Sequence, residues 1–174
     1  MRSRILILVS ALALAACSAP PPPAAPQAPP PAPVTVAPPP PARPAGDWTD
    51  WPLSAGDWVY RQDDRGSIAL FGVAGADAQV TLRCDKARQR VYLARAGSGG
   101  GGIIIRSSSA TKQFAGAATG GASPYVATEI LPNDPILDAM IFSRGRIAIE
   151  AAGHMPIAIP SWAEIGRVVE DCRV

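Results

Sequence analysis

The chain has 174 residues, 48% of them hydrophobic and only 17% charged, with 20 prolines and 16 glycines. Sixteen basic against 14 acidic side chains leave a net charge of +2, too small a surplus to pull the chain toward nucleic acid over any distance. A single histidine, His154, excludes a metal centre built from several imidazoles.

The chain opens on Met1-Arg2-Ser3-Arg4, runs through a short apolar stretch from Ile5 to Leu14, and reaches Leu14-Ala15-Ala16-Cys17. A helix needs about 20 apolar residues to cross a bilayer, and Pro20 interrupts this one too early. Charged, apolar, small and then cysteine is an order that resembles the signal peptide and lipobox of a bacterial lipoprotein, over residues 1–18. The resemblance implies that residues 1–16 are removed and that Cys17 carries a diacylglyceryl group on its sulfur. It further implies a fatty acyl chain such as palmitate on the exposed amine, and sorting to the outer membrane, because Ser18 rather than an aspartate follows the cysteine. An ordinary cleaved signal peptide is the alternative. Each buried methylene contributes about 0.8 kcal/mol, so two or three long chains hold a protein on the membrane essentially permanently. Losing Arg2 and Arg4 leaves 14 basic and 14 acidic side chains, so the mature chain is neutral.

Ala19 to Pro44 is almost wholly proline and alanine, with Arg43 as its one charge. Proline fixes φ and lacks a donor, so such a stretch extends as polyproline II at about 3.1 Å per residue, reaching roughly 75 Å. Residues 17–46 are therefore expected to be a lipidated cysteine followed by a stiff spacer. The rival reading is a docking track for proline-binding modules.

Residues 47–174 are long enough to bury one core as one domain. Trp48, Trp51 and Trp58 crowd its start; tryptophans so placed seal a core edge or, when exposed, stack on sugar rings. Trp58 to Gln62, Ser67 to Val73, Gln79 to Cys84, Gln89 to Arg95 and Gly102 to Arg106 read as strands, separated by turn residues. In the third, Val80, Leu82 and Cys84 share one face while Gln79, Thr81 and Arg83 share the other, the alternation of a half-buried strand. Ser107 to Ser123 is low in complexity, with one short strand expected near Lys112 to Ala115 and high mobility elsewhere. Tyr125 to Leu131 is a further strand.

Asn133-Asp134-Pro135 predicts a helix start, with Asp134 as cap, Pro135 in the first turn and Ile136, Leu137, Met140 and Ile141 on one stripe. Gly145 ends it. Arg146 to Glu150 and Met155 to Ile159 form a hairpin whose isoleucines face the core, and Pro156 puts its second strand at an edge. Ser161 and Glu164 have the spacing of a capping box, opening a last helix with Trp162, Ile165, Val168 or Val169, and Cys172 at helical spacing. The fold class is therefore mostly β with two short helices: an antiparallel sandwich or small barrel with a C-terminal helix, behind a proline-rich tether.

With Cys17 assigned to lipid, Cys84 and Cys172 remain, both expected to face the core in an oxidising compartment. A Cys84–Cys172 disulfide follows.

Chemistry-bearing patterns are sparse. Gly97 to Gly102 matches GxGxxG, but Ile103-Ile104-Ile105 follows where a phosphate-binding helix should start, so a flexible hairpin tip is expected. Ser143, Asp138 and His154 lack the strained turn of a hydrolytic serine. Asp63-Asp64 and the Asp134, Asp138 pair fit turn and cap duties better than a calcium loop. The remaining candidate is basic: seven cations fall between Arg83 and Lys112 against one acid, Asp85. A hairpin there puts Arg83, Arg88 and Arg90 on one wet face able to take a carboxylate or phosphate; the alternative is a solvated face balanced by the protein's own acids.

A small exported β-domain with one cysteine pair is also similar to several envelope accessory families, among them lipid-anchored lysozyme inhibitors and small secretion-associated lipoproteins. The loop Gly120-Gly121-Ala122-Ser123-Pro124-Tyr125 is superficially similar to the inhibitory loop of the former, and no functional residue is carried over from it. Together these readings lead to the expectation of a non-enzymatic, lipid-anchored binding or structural module in the envelope, at the outer membrane and facing the periplasm. It needs no cofactor or metal, and its partners are the membrane and an envelope protein or cell-wall component, not nucleic acid. Inhibition of a cell-wall-degrading enzyme is the second expectation and hydrolysis a distant third.

Overall fold

The computed structural model describes residues 44–174. The expected signal peptide, the expected lipobox with Cys17 and the proline-rich stretch up to residue 43 lie outside the described residues. A 3-10 turn, η1 (Trp48–Asp50), leads into β1 (Asp57–Asp63), β2 (Gly66–Gly72), β3 (Val80–Asp85), β4 (Arg90–Ala96), β5 (Gly101–Arg106), β6 (Thr111–Ala118) and β7 (Tyr125–Ile130). Helix α1 (Pro135–Ile141), strands β8 (Arg146–Ala151) and β9 (Ile157–Pro160), and helix α2 (Ala163–Cys172) complete the order.

The nine strands form one antiparallel sheet in the order β1-β2-β3-β4-β7-β6-β5-β8-β9, curled as a half-barrel. Alternation decides its faces. Val80, Leu82 and Cys84 of β3 are fully buried, as are Val91 and Leu93 of β4, Ile103 and Ile105 of β5, and Ile147 and Ile149 of β8. The two edge strands approach each other through Trp58, whose indole Nε1 donates to the Pro160 carbonyl at 2.9 Å while its ring tilts against Phe71. Helix α2 lies over β1 to β4 and buries Ile165, Val168, Val169 and Cys172 in that concave face. Cys172 meets Cys84 in a disulfide with Cα atoms 5.4 Å apart, tying the last helical turn to the third strand.

Helix α1 starts as expected: the Asp134 side chain accepts from the Ile136 amide, Pro135 fills the first turn, and Ile136, Leu137 and Met140 are buried. The start of α2 differs. Trp162 is its cap residue and no side chain caps it. The Ser161 hydroxyl instead donates to the Met140 and Ile141 carbonyls at the end of α1, where the helix runs out of its own amide donors. Trp162 is correspondingly half-exposed rather than on the buried stripe.

Two further differences concern the middle of the chain. The low-complexity stretch contains a full eight-residue strand, β6, paired along β5 from Gly101↔Gly116 to Arg106↔Thr111. The glycine run is not a hairpin tip, because β4 and β5 are not neighbours: β4 pairs with β7. The run carries the chain across to β5 where the sheet turns a corner, at which β6 meets β7 over only Ala117↔Ala127 and Ala118↔Val126. Gly97 has φ +143°, and a Cβ there would lie 2.1 Å from the His154 imidazole. Among the described residues no helix is long and apolar enough to cross a membrane.

Candidate functional site

The sequence-nominated arginines are brought together, and each meets an acid or its neighbours. Arg83 and Tyr92 face each other across β3 and β4, and Asp85 faces Arg90, so Arg83 and Arg90 share the convex face. Arg83 makes a two-pronged bond to Asp63, at 3.0 and 2.8 Å. Arg90 binds Glu129 at 2.7 Å and also its own turn's carbonyls. Arg88 follows Asp85 in the connecting turn, its amide held by that carboxylate, and the Tyr92 phenol beside it raises the guanidinium's pKa. Arg65 closes the set on Asp85 at 2.9 Å. Further along, Arg106 pairs with Glu150 and Lys112 with Asp134. Most of the basic stretch is thus balanced from within the chain.

Other nominated groups are occupied separately. Asp138 accepts from Arg173, the Ser143 hydroxyl donates to the Arg146 carbonyl, and His154 rests on Gly97. Among the described residues no three His, Cys, Asp or Glu side chains stand close enough to hold a metal ion.

A different site emerges where the chain enters the domain. Trp51 packs on the convex face of β8 and β9 over Ala148 and Ala158, two small residues that leave room for an indole, and Trp48 packs against the same cluster. Arg146 anchors the segment by donating from Nη1 to the Trp51 carbonyl at 2.7 Å. This placement opens a cleft of about 440 Å³ lined by Asp47, Trp48, Thr49, Ser107, Ser108, Arg144 and Arg146. A second cavity of about 270 Å³, lined by Pro44, Gly46, Trp51, Arg106 and Glu150, shares Asp47 and Trp48 with it, so Trp48 stands between the two.

The walls of the cleft are fixed by their own bonds. The Ser108 amide donates to the Ser143 hydroxyl at 3.0 Å, and the Arg144 amide donates to the Ser108 hydroxyl at 3.1 Å. These two bonds lock the β5–β6 turn to the α1–β8 turn. Asp47 accepts from the amide and hydroxyl of Thr49, and the Thr49 hydroxyl is the main reason its carboxyl is held below the usual carboxylate range. Arg144 is exposed and makes no ion pair with a described carboxylate, and Arg146 uses one nitrogen on a main-chain carbonyl. Two arginines and two serines therefore line one cleft together with Trp48.

Sequence reasoning passed over this cleft because its parts lie far apart: Trp51 and Arg146 are 95 residues distant. The available signal is Ser143-Arg144-Gly145-Arg146, two arginines around a turn glycine that ends one helix and leads into a hairpin strand. The chain matches no protein-family model, no curated protein and no solved structure.

Proposed function

We propose that this protein is a lipid-anchored envelope module that binds a ligand without transforming it. In this reading Cys17 carries the lipid at the outer membrane, the prolines from Ala19 to Pro44 hold the domain in the periplasm, and the Trp48 cleft is the working surface. The observation that supports it is the cleft itself, lined by a partly buried indole and by two arginines that no described carboxylate pairs with, next to Pro44 and Gly46. Polar side chains around an aromatic wall are the ordinary make-up of a small ligand site. Arg83, Arg88 and Arg90 would be a secondary surface, since Asp63 and Glu129 already occupy two of them.

A photoreactive residue at exposed Thr49 of the full chain, irradiated in intact cells, tests the reading. A covalent adduct from Thr49 is expected; its absence while the anchored protein is present and folded removes the cleft as the working surface.

One observation favours a second reading, inhibition of a cell-wall-degrading enzyme. The β6–β7 tip, residues 119–124, is exposed throughout, and Ser123 pins it to Asp77 at 2.7 Å. An inhibitor must abolish lysozyme lysis near equimolar ratio, so a titration without effect excludes this for that enzyme.

A further inference from the structure

Beyond being a binding surface, the Trp48 cleft carries features that narrow its ligand. Three cations line the joined cavities, Arg106, Arg144 and Arg146, against two acids, Asp47 and Glu150. Arg106 and Glu150 engage each other, which leaves Arg144, Arg146 and the ionised Asp47 facing the open part. The surplus is one positive charge. A polyphosphate concentrates several charges beside the Asp47 carboxylate, whereas an acidic sugar chain carries one carboxylate per ring, so that only a single charge reaches the two arginines. Planar guanidiniums bind carboxylates through paired donors.

The other walls are suited to hydroxyl-rich rings. Asp47 is an acceptor kept ionised by Thr49, and hydroxyl donors are what such an acceptor can bind without a counter-charge. The Trp48 indole supplies a flat apolar wall and borders both cavities, so a ligand crossing it extends to either side. The volume, about 440 Å³ on one side and 270 Å³ on the other, accommodates a short chain rather than a single ion.

We infer that the cleft binds a carboxylate-bearing oligosaccharide, one sugar ring lying on Trp48 and its carboxylate held by Arg144 and Arg146. This rests on the binding-module reading. Contact with Asp47 selects sugar hydroxyls, and the adjoining cavity receives the next ring.

The full mature chain is titrated, by calorimetry and by the Trp48 indole resonance, with tetragalacturonate as the acidic probe and chitotetraose as the neutral one. The expected result is that tetragalacturonate shifts the Trp48 resonance and binds at least about tenfold more tightly than chitotetraose, in line with one charge-assisted paired contact. Arg144→Gln should weaken the acidic probe about tenfold. It leaves the Arg144 main-chain bond to Ser108 in place, so the variant keeps its fold, which circular dichroism checks. Arg61→Gln, at an exposed cation of β1 outside the cleft, should change affinity less than twofold, and Trp48→Phe should retain more binding than Trp48→Ala. Equal affinity for the two sugars, or an Arg144→Gln variant that binds like the parent, overturns the inference. So does binding to vesicles of phosphatidylcholine and phosphatidylglycerol with none to either sugar, which would make the cleft a lipid-facing surface. If Thr49 crosslinks in cells while tetragalacturonate does not bind, the ligand class is wrong and the binding-module reading stands.

Discussion

Replacing Cys84 and Cys172 together by alanine should cost the domain a large share of its stability. The bond joins residues 88 apart, and a loop of that length removes from the unfolded chain conformational freedom worth about 4.6 kcal/mol in the chain-entropy treatment. Both residues are almost completely buried between α2 and β3, so the alanines also leave small voids, adding a fraction of a kcal/mol up to about 1. Against a total stability of about 5–15 kcal/mol for a domain, the remaining margin is thin. Urea unfolding followed by tryptophan fluorescence should show the midpoint falling by about 2.3–3.7 M, given a slope of about 1.5–2 kcal/mol per M for a chain of this size. The parent treated with reductant should fall nearly as far, because reduction releases the loop without removing side chains. A midpoint drop under about 0.5 M, or two titratable thiols in the unreduced protein, would refute the reasoning.

Asp134→Ala removes the cap of α1 and the partner of Lys112 together and should lower stability by about 1–2 kcal/mol, read from the same unfolding curves. Ser161→Ala should leave the start of α2 intact while freeing the α1 carbonyls, so Glu164→Ala in addition should cost nothing more; a further loss would restore the capping box. Gly97→Ala places a methyl group in the His154 ring at a positive φ and should cost about 2–3 kcal/mol, with His154→Ala recovering only the steric part. Asp85 and Asp63 have pKa values lowered chiefly by hydrogen bonds from Arg65 and Arg83. Because the folded-state values lie below the unfolded ones, their stabilisation is complete above the unfolded carboxylate pKa of about 3.9 and is lost as pH falls further. Unfolding midpoints should be flat from about pH 7 to 5 and drop below about pH 4, less steeply in Asp63→Asn/Asp85→Asn.

The sequence pattern was most informative where side chains alternate in size. Strands such as β3 announce their faces through Val80, Leu82 and Cys84, and helical spacing does the same for Cys172 in the last helix, so both cysteines point inward before any pairing is considered. Strand β6 was legible only in part because Gln113, Ala115, Gly116 and Ala117 carry no alternation: only Phe114 is an anchor, and pairing with β5 supplies the rest. The sheet order was not legible, since the jump from β4 to β5 depends on a corner formed by Gly116 against Val126 and Ile103. Ser161 shows how a local rule yields to a tertiary one: a hydroxyl spaced for a capping role donates instead to the Met140 and Ile141 carbonyls of the other helix. The cleft was hidden for a related reason. Trp48 borders it because Trp51 lies on Ala148 and Ala158, a contact between segments that no spacing reveals, whereas the arginines at 83, 88 and 90 stood out by density and proved to be the better neutralised group.

The proposed lipid anchor at Cys17 is tested most directly by mass. The intact mass of the mature protein, purified from the membrane fraction, should equal that of a chain beginning at Cys17 plus a diacylglyceryl group and one further acyl chain, and Cys17→Ser should release the protein from that fraction. A mature mass with no lipid on Cys17, or an unprocessed chain retained in the cytoplasm, would contradict it.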